Sequence, residues 1–163
     1  MKGFVIAEQA HVVNVLAPVD ITGGQASQAV NMANYQHVTF IVQIGVSAAA
    51  FTKILVQQCT DHTGANPTAI PFAIYTQETA GVSNDVLSAR TAVTSAGYTP
   101  AATDGIFYVI EIDAAELDGT NNGATGQYLR LDLTNTSNSV IASAIAILSG
   151  ARYAETQSPT VCT

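Results

Sequence analysis

The chain has 163 residues, 48% of them hydrophobic and only 10% charged, with five Lys and Arg against twelve Asp and Glu for a formal charge of −7. That length fits one domain that buries its core without staples, and the low charge leaves polarity to Thr, Ser, Asn and Gln. The cations Lys2, Lys53, Arg90, Arg130 and Arg152 are scattered, which counts against nucleic acid, anionic membrane surfaces and acidic substrates as partners.

Four apolar residues, Phe4 to Ala7, follow Met1-Lys2-Gly3 before Glu8 and Gln9 interrupt them, too short a run for a signal peptide. No stretch approaches the roughly 20 apolar residues of a membrane span, so synthesis and retention in a cytoplasm are expected. Weak strands are predicted at Phe4 to Ala7 and His11 to Leu16, with a reversal at Gly23-Gly24. Residues 25 to 36, QASQAVNMANYQ, suit either a turn of helix through Ala26, Ala29, Val30 and Ala33 or an extended approach to the next strand.

The clearest strand comes next. In NYQHVTFIVQIGV, residues 34 to 46, Val38, Phe40, Val42, Ile44 and Val46 occupy every second position, the period of a half-buried antiparallel strand. Phe51 to Cys59 and Ala69 to Gln77 are further strands, the second tolerating Pro71 only at an edge or bulge. HTGANP, residues 62 to 67, turns between them. Residues 79 to 101, rich in Ala, Ser, Thr and Gly, read as a long surface excursion suited to partner contacts.

Alternation resumes in IFYVIEID, residues 106 to 113: Ile106, Tyr108, Ile110 and Ile112 form an apolar face, and the opposite face ends acidic in Glu111 and Asp113. QYLRLDLT, residues 127 to 134, sets Leu129, Leu131 and Leu133 against Tyr128, Arg130 and Asp132. VIASAIAILS, residues 140 to 149, is apolar on both faces and reads as a central strand after the turn TNTSNS. Seven or eight such strands predict an all-β, antiparallel β-sandwich, jelly-roll-like, with long loops. The expected organisation is a single domain over 1–153 and a C-terminal tail or arm over 154–163.

Reactive constellations are sparse. His11, His37 and His62 could feed a Ser-His-Asp set, yet no GxSxG elbow is present, and His37 before its strand is expected to satisfy a turn or face solvent. DAAELDGTNNG, residues 113 to 123, gathers Asp113, Glu116 and Asp118 near Asn121 and Asn122, oxygen ligands that could hold Ca²⁺. The spacing is not that of an EF-hand, and the favoured reading is a turn, Ala114 to Leu117, capped by Asp113 and closed by Gly119. Tyr75, Tyr98, Tyr128 and Tyr153 could line a sugar-binding surface or serve subunit contacts. Cys59 and Cys162 are read as thiols. No catalytic, cofactor-binding or metal-binding residue is assigned.

At NMANYQHVTFIVQIG, YVIEIDAAELD, YLRLDLTNT and AILSGARYA, the chain resembles a family of short proteins encoded in tailed phages and prophages among their head-structure genes. The resemblance spans roughly residues 30 to 154 and rests on strand patterns and turns without a catalytic signature. It implies a non-enzymatic virion structural protein, foremost a head decoration or cement protein on the outside of the capsid lattice. The major capsid protein would then be the partner, with homo-oligomers, foremost trimers, placed at symmetry axes. Residues 79 to 101, the N-terminal segment and the tail after Arg152 are the candidate contacts. A tail, neck or self-assembling shell or tube subunit is the nearest alternative, and a carbohydrate-binding adhesion module the next.

Overall fold

The computed structural model describes residues 3, 5–77, 86–102, 104–117, 126–151 and 160. Within them a short helix α1 (Ile6–Gln9) leads into β1 (His11–Asp20), β2 (Gln25–Ala26), β3 (Val30–Asn31), β4 (His37–Ser47), β5 (Lys53–Cys59) and β6 (Thr68–Ile70). There follow β7 (Phe72–Gln77), β8 (Thr91–Val93), β9 (Phe107–Asp113) with a 3-10 turn at Ala114–Glu116, β10 (Tyr128–Thr134) and β11 (Val140–Ser149). Each registered pair between these strands is antiparallel.

The strands form a six-stranded sheet in the order β1-β11-β4-β9-β7-β8 and a five-stranded sheet in the order β2-β10-β5-β6, with β3 also on β10. If β2 and β3 are taken as one broken strand and the β7-β8 hairpin is set apart, eight strands remain. Ranked by chain position, they run 1-8-3-6 in one sheet and 2-7-4-5 in the other. That is the order of a jelly roll, in which successive strands alternate between sheets except for the fourth and fifth, here the paired β5 and β6.

The core lies between the sheets and follows the predicted alternation. Val38, Phe40, Val42 and Ile44 of β4, Tyr108, Ile110 and Ile112 of β9 and the three leucines of β10 all point inward and are buried. Each such side chain contributes roughly 1.5–3 kcal/mol. Val46 breaks the pattern at 74% exposed, because β4 bulges against β11 between Ile44, opposite Ala142, and Ser47, opposite Val140, which puts Val46 out of phase with the alternation. The Tyr108 hydroxyl accepts from the Ala101 amide at 3.2 Å, and Tyr98 meets its ring edge-on. Burial pushes that phenol up to about 12.

Several expectations change. Of the N-terminal strand expected at Phe4 to Ala7, Phe4 lies outside the described residues and Ile6 and Ala7 belong to α1; the Gln9 side chain reaches back to accept from the Val5 amide at 3.1 Å. Residues 25 to 36 take the extended alternative, β2 and β3 both laddering onto β10, with the Ser27 hydroxyl accepting from the Leu131 amide at 2.9 Å between them. The strand expected over Ala69 to Gln77 is two strands. Pro71 lacks the N–H needed to continue a ladder, and there the chain leaves the five-stranded sheet as β6 and enters the six-stranded one as β7. Of the excursion expected at 79 to 101, residues 79 to 85 lie outside the described residues, and the remainder returns to the sandwich: β8 pairs with β7, and Tyr98 exchanges two backbone hydrogen bonds with Ile54 at 2.8 and 2.9 Å.

Candidate functional site

The outer faces of the two sheets differ. On the five-stranded sheet, Gln57, Arg130 and Asp132 point away from the core and are polar and engaged, and the apolar Leu55 opposite Asp132 lies under the loop at Gly97. Arg130 donates from Nε to Gln57 at 2.9 Å, and Gln57 donates to Asp132 at 3.1 Å. Burial holds the Asp132 carboxyl above its ordinary range. Loops close down on this face: Gly64 and Gly97 adopt φ of +76° and +86°, and a Cβ at either would fall 2.6 Å from Arg130 or Leu55 respectively. Beside it, Gly23, Gly24, Gln25, Ala26, Asp132, Thr134 and Asn135 line a shallow groove of about 320 Å³.

The outer face of the six-stranded sheet is apolar. Register sets its tiers: Val12, Ile147, Thr39, Glu111 and Ala73 stand abreast in one, and Asn14, Ile145, Ile41, Val109 and Tyr75 in the next. Gln43 and Phe107 follow, and Ile141 lies toward the far end. Val12 is 46% exposed, Ile141 37% and Ile145 36%, although β11 is flanked by a strand on either side. The central placement expected for β11 is correct. Its two apolar faces, however, do not mean two buried faces. Ala142, Ala144, Ala146 and Leu148 enter the core, while the isoleucines project outward with no second layer over them among the described residues. An outer face of an antiparallel sandwich is ordinarily polar, so this one departs from the rule.

A polar cluster closes one end of the apolar face. His37 of β4 stands opposite Asp113 of β9, and Thr39 opposite Glu111. Nδ1 of His37 lies 2.7 Å from Asp113 Oδ1, Nε2 contacts Glu111 Oε2, and the Thr39 hydroxyl donates to the same Glu111 oxygen at 2.8 Å. Burial lowers the imidazole pKa, but the hydrogen bonds and charges of Asp113 and Glu111 outweigh it and hold the ring above its ordinary 6.5. With both nitrogens facing carboxylates, the protonated ring donates twice and has no lone pair for a substrate proton or metal. The expectation that His37 satisfies a turn or faces solvent is corrected: it clasps β4 to β9. Its partner Glu111 was legible as part of an acidic strand end.

The other candidates stay apart. His11 stacks on Tyr35 at 5.9 Å, and His62 lies exposed in the β5-β6 loop. Of the proposed calcium ligands, Asp113 faces His37 and Glu116 accepts from the Asp113 backbone at 3.0 Å, fixing the predicted turn. Asp118, Gly119, Asn121 and Asn122 lie outside the described residues, among which no group of three metal-ligating side chains converges. Tyr75 and Tyr128 occupy the outer faces of opposite sheets, Tyr98 packs on the core, and Tyr153 is outside the described residues. Cys59 is buried with its thiol free, and burial pushes that thiol's pKa up; Cys162 is outside the described residues. No helix among the described residues is long and apolar enough to cross a membrane.

No protein-family model matches the chain, and no curated protein does. Among solved structures, the crystal structure of the SPBc2 prophage-derived protein YomS is similar over 85% of this chain and 92% of that one, with 12% identity and a TM-score of 0.44. A likeness that distant assigns neither family nor activity.

Proposed function

We propose that the protein is a phage virion structural component, foremost a decoration or cement protein that binds the outside of the head lattice and stabilises it without catalysis. The observation that carries this reading is a jelly roll with a bare apolar outer face and a charge-paired histidine, a body shaped for neighbours. The resemblance of residues 30 to 154 to phage head-structure proteins supports the same reading, as does the recurrence of jelly rolls in capsid proteins, by analogy of fold alone. Negative charge agrees with a position away from packaged DNA.

Contacts to the capsid protein are assigned to segments beyond the sandwich core. The exposed α1, with Val5 36% and Ile6 39% exposed, and residues 86 to 93, with Val86 68% and Leu87 42% exposed, offer apolar surface at the periphery. The test is to titrate purified protein onto heads lacking it. Saturable binding with a gain in heat or osmotic resistance is expected; absence of both rejects the reading. A tail, neck or shell position would show as saturation of those structures instead.

A carbohydrate-binding module is the second reading, and the groove beside Asp132 is the place for it: a carboxylate, an amide and glycine backbone around an open hollow. Glycan-array binding abolished by Asp132→Asn would favour it, and silence on the array would count against it.

A further inference from the structure

We infer that the outer face of the six-stranded sheet is an interface between copies of this chain, a second subunit seating its own β11-β4-β9 surface on that of the first. This rests on the virion reading only in naming the oligomer that reading calls for; the geometry stands apart from it.

Strand spacing of about 4.8 Å over five strands and a rise of about 3.3 Å per residue along β11 from Ile147, which stands beside Val12, to Ile141 give a patch of roughly 24 by 20 Å. That is about 480 Å² before side-chain relief is counted, within the ~300–600 Å² of the largest patch on a typical monomer and more than half of the ~800 Å² per partner of a stable complex. The patch is also the right kind of surface. Ile41, Ile145 and Ile147 form its centre, with uncharged Thr39, Gln43 and Ser143 among them, while Val109 and Ala73 on the β9-β7 side are already buried within the chain. His37, Glu111 and Asp113 gather at one margin. A charge-depleted apolar centre with a polar rim is the composition of permanent homo-oligomer interfaces rather than transient ones.

The chain's own C-terminal arm does not provide the cover at the one point where it is described. Thr160 accepts through its carbonyl from the Asn31 amide at 3.2 Å, which ties it to β3 on the other sheet. A face meeting a copy of itself is self-complementary and closes on a two-fold axis, so an even-numbered assembly replaces the expected trimer as its simplest product. The β-branched residues would interdigitate as the facing sheets of a sandwich do, about 10 Å apart.

The test is sedimentation equilibrium of the full chain at micromolar concentration, for wild type, Ile145→Lys and Gln25→Lys. Wild type and Gln25→Lys, altered on the other sheet, are expected at a multiple of the 16.9 kDa chain mass. Ile145→Lys is expected at the single-chain mass with an unchanged circular-dichroism spectrum. Should Ile145→Lys misfold, maleimide labelling of Ile145→Cys replaces it: labelling at least tenfold slower in the oligomer than on dilution is expected. A monomeric wild type, a folded Ile145→Lys variant that still oligomerises, or equal labelling rates would overturn the inference. Head binding reports on the other reading: a monomer that saturates heads sinks the interface alone, and an oligomer that ignores heads sinks the virion role alone.

Discussion

His37 carries the most specific chemistry in the described residues, and its protonation is set by two neighbours rather than by solvent. Asp113 and Glu111 raise its pKa in the folded chain, so the folded state holds that proton more tightly than the unfolded state. The resulting stability is present in full below pH ~6.5 and is lost as pH rises through the folded value. At 30% exposure of His37 and of Glu111, the contribution is on the order of 1 kcal/mol. Melting curves should therefore fall by a few degrees between pH 6 and pH 9 for wild type and by less for His37→Gln. An NMR titration placing the His37 pKa at or below 6.5 would contradict this. Asp20 has the opposite sign. Ser139 and Thr22 donate to its carboxylate and lower its pKa to about 2, so what it contributes is present above pH ~4 and is lost as pH falls through about 2. Asp20→Ala should shift the acid-unfolding midpoint toward neutral pH, and an unshifted midpoint would refute the assignment. The pairing of His37 was half legible: alternation places His37 with Thr39 and Glu111 with Asp113 on single faces, but only register shows that the two faces coincide.

Elements were legible where a two-residue period runs long and illegible where pairing is short. The alternations of β4, β9 and β10 read directly as buried and outward rows, whereas β2, β3 and β8 have two or three residues and no period of their own. Their existence depends on β10 and β7 offering free edges. β11 shows a subtler gap, since a doubly apolar strand reads as buried on both sides although its second side lies uncovered among the described residues. Two substitutions test the element-level account. Leu131→Ala, at a wholly buried position of β10, should cost about 2–5 kcal/mol. Gly97→Ala forces a side chain into left-handed backbone 2.9 Å from the Ile54 carbonyl and 2.6 Å from Leu55. It should cost about 1–3 kcal/mol and lower the melting temperature by several degrees. Denaturant titration reads both, and a Gly97→Ala protein as stable as wild type would show that the Tyr98-Ile54 bridge is not fixed by that glycine.

At the scale of the whole molecule, the jelly-roll order joins residues far apart in sequence: β1 meets β11, and the chain crosses between sheets at Pro71 and again after Val93. Composition led to the expectation of a weakly charged body suited to lying against protein and named no face; the contrast between a loop-covered sheet and a more apolar one is the ground on which the interface is proposed. Three-dimensional reconstruction of the virion from electron micrographs tests the central claim most directly. The account predicts jelly-roll density over the head exterior, with peripheral segments toward the lattice and six-stranded faces turned to one another between neighbouring copies. Density confined to the tail or the inside of the shell, or solitary copies with that apolar face turned to solvent, would contradict it.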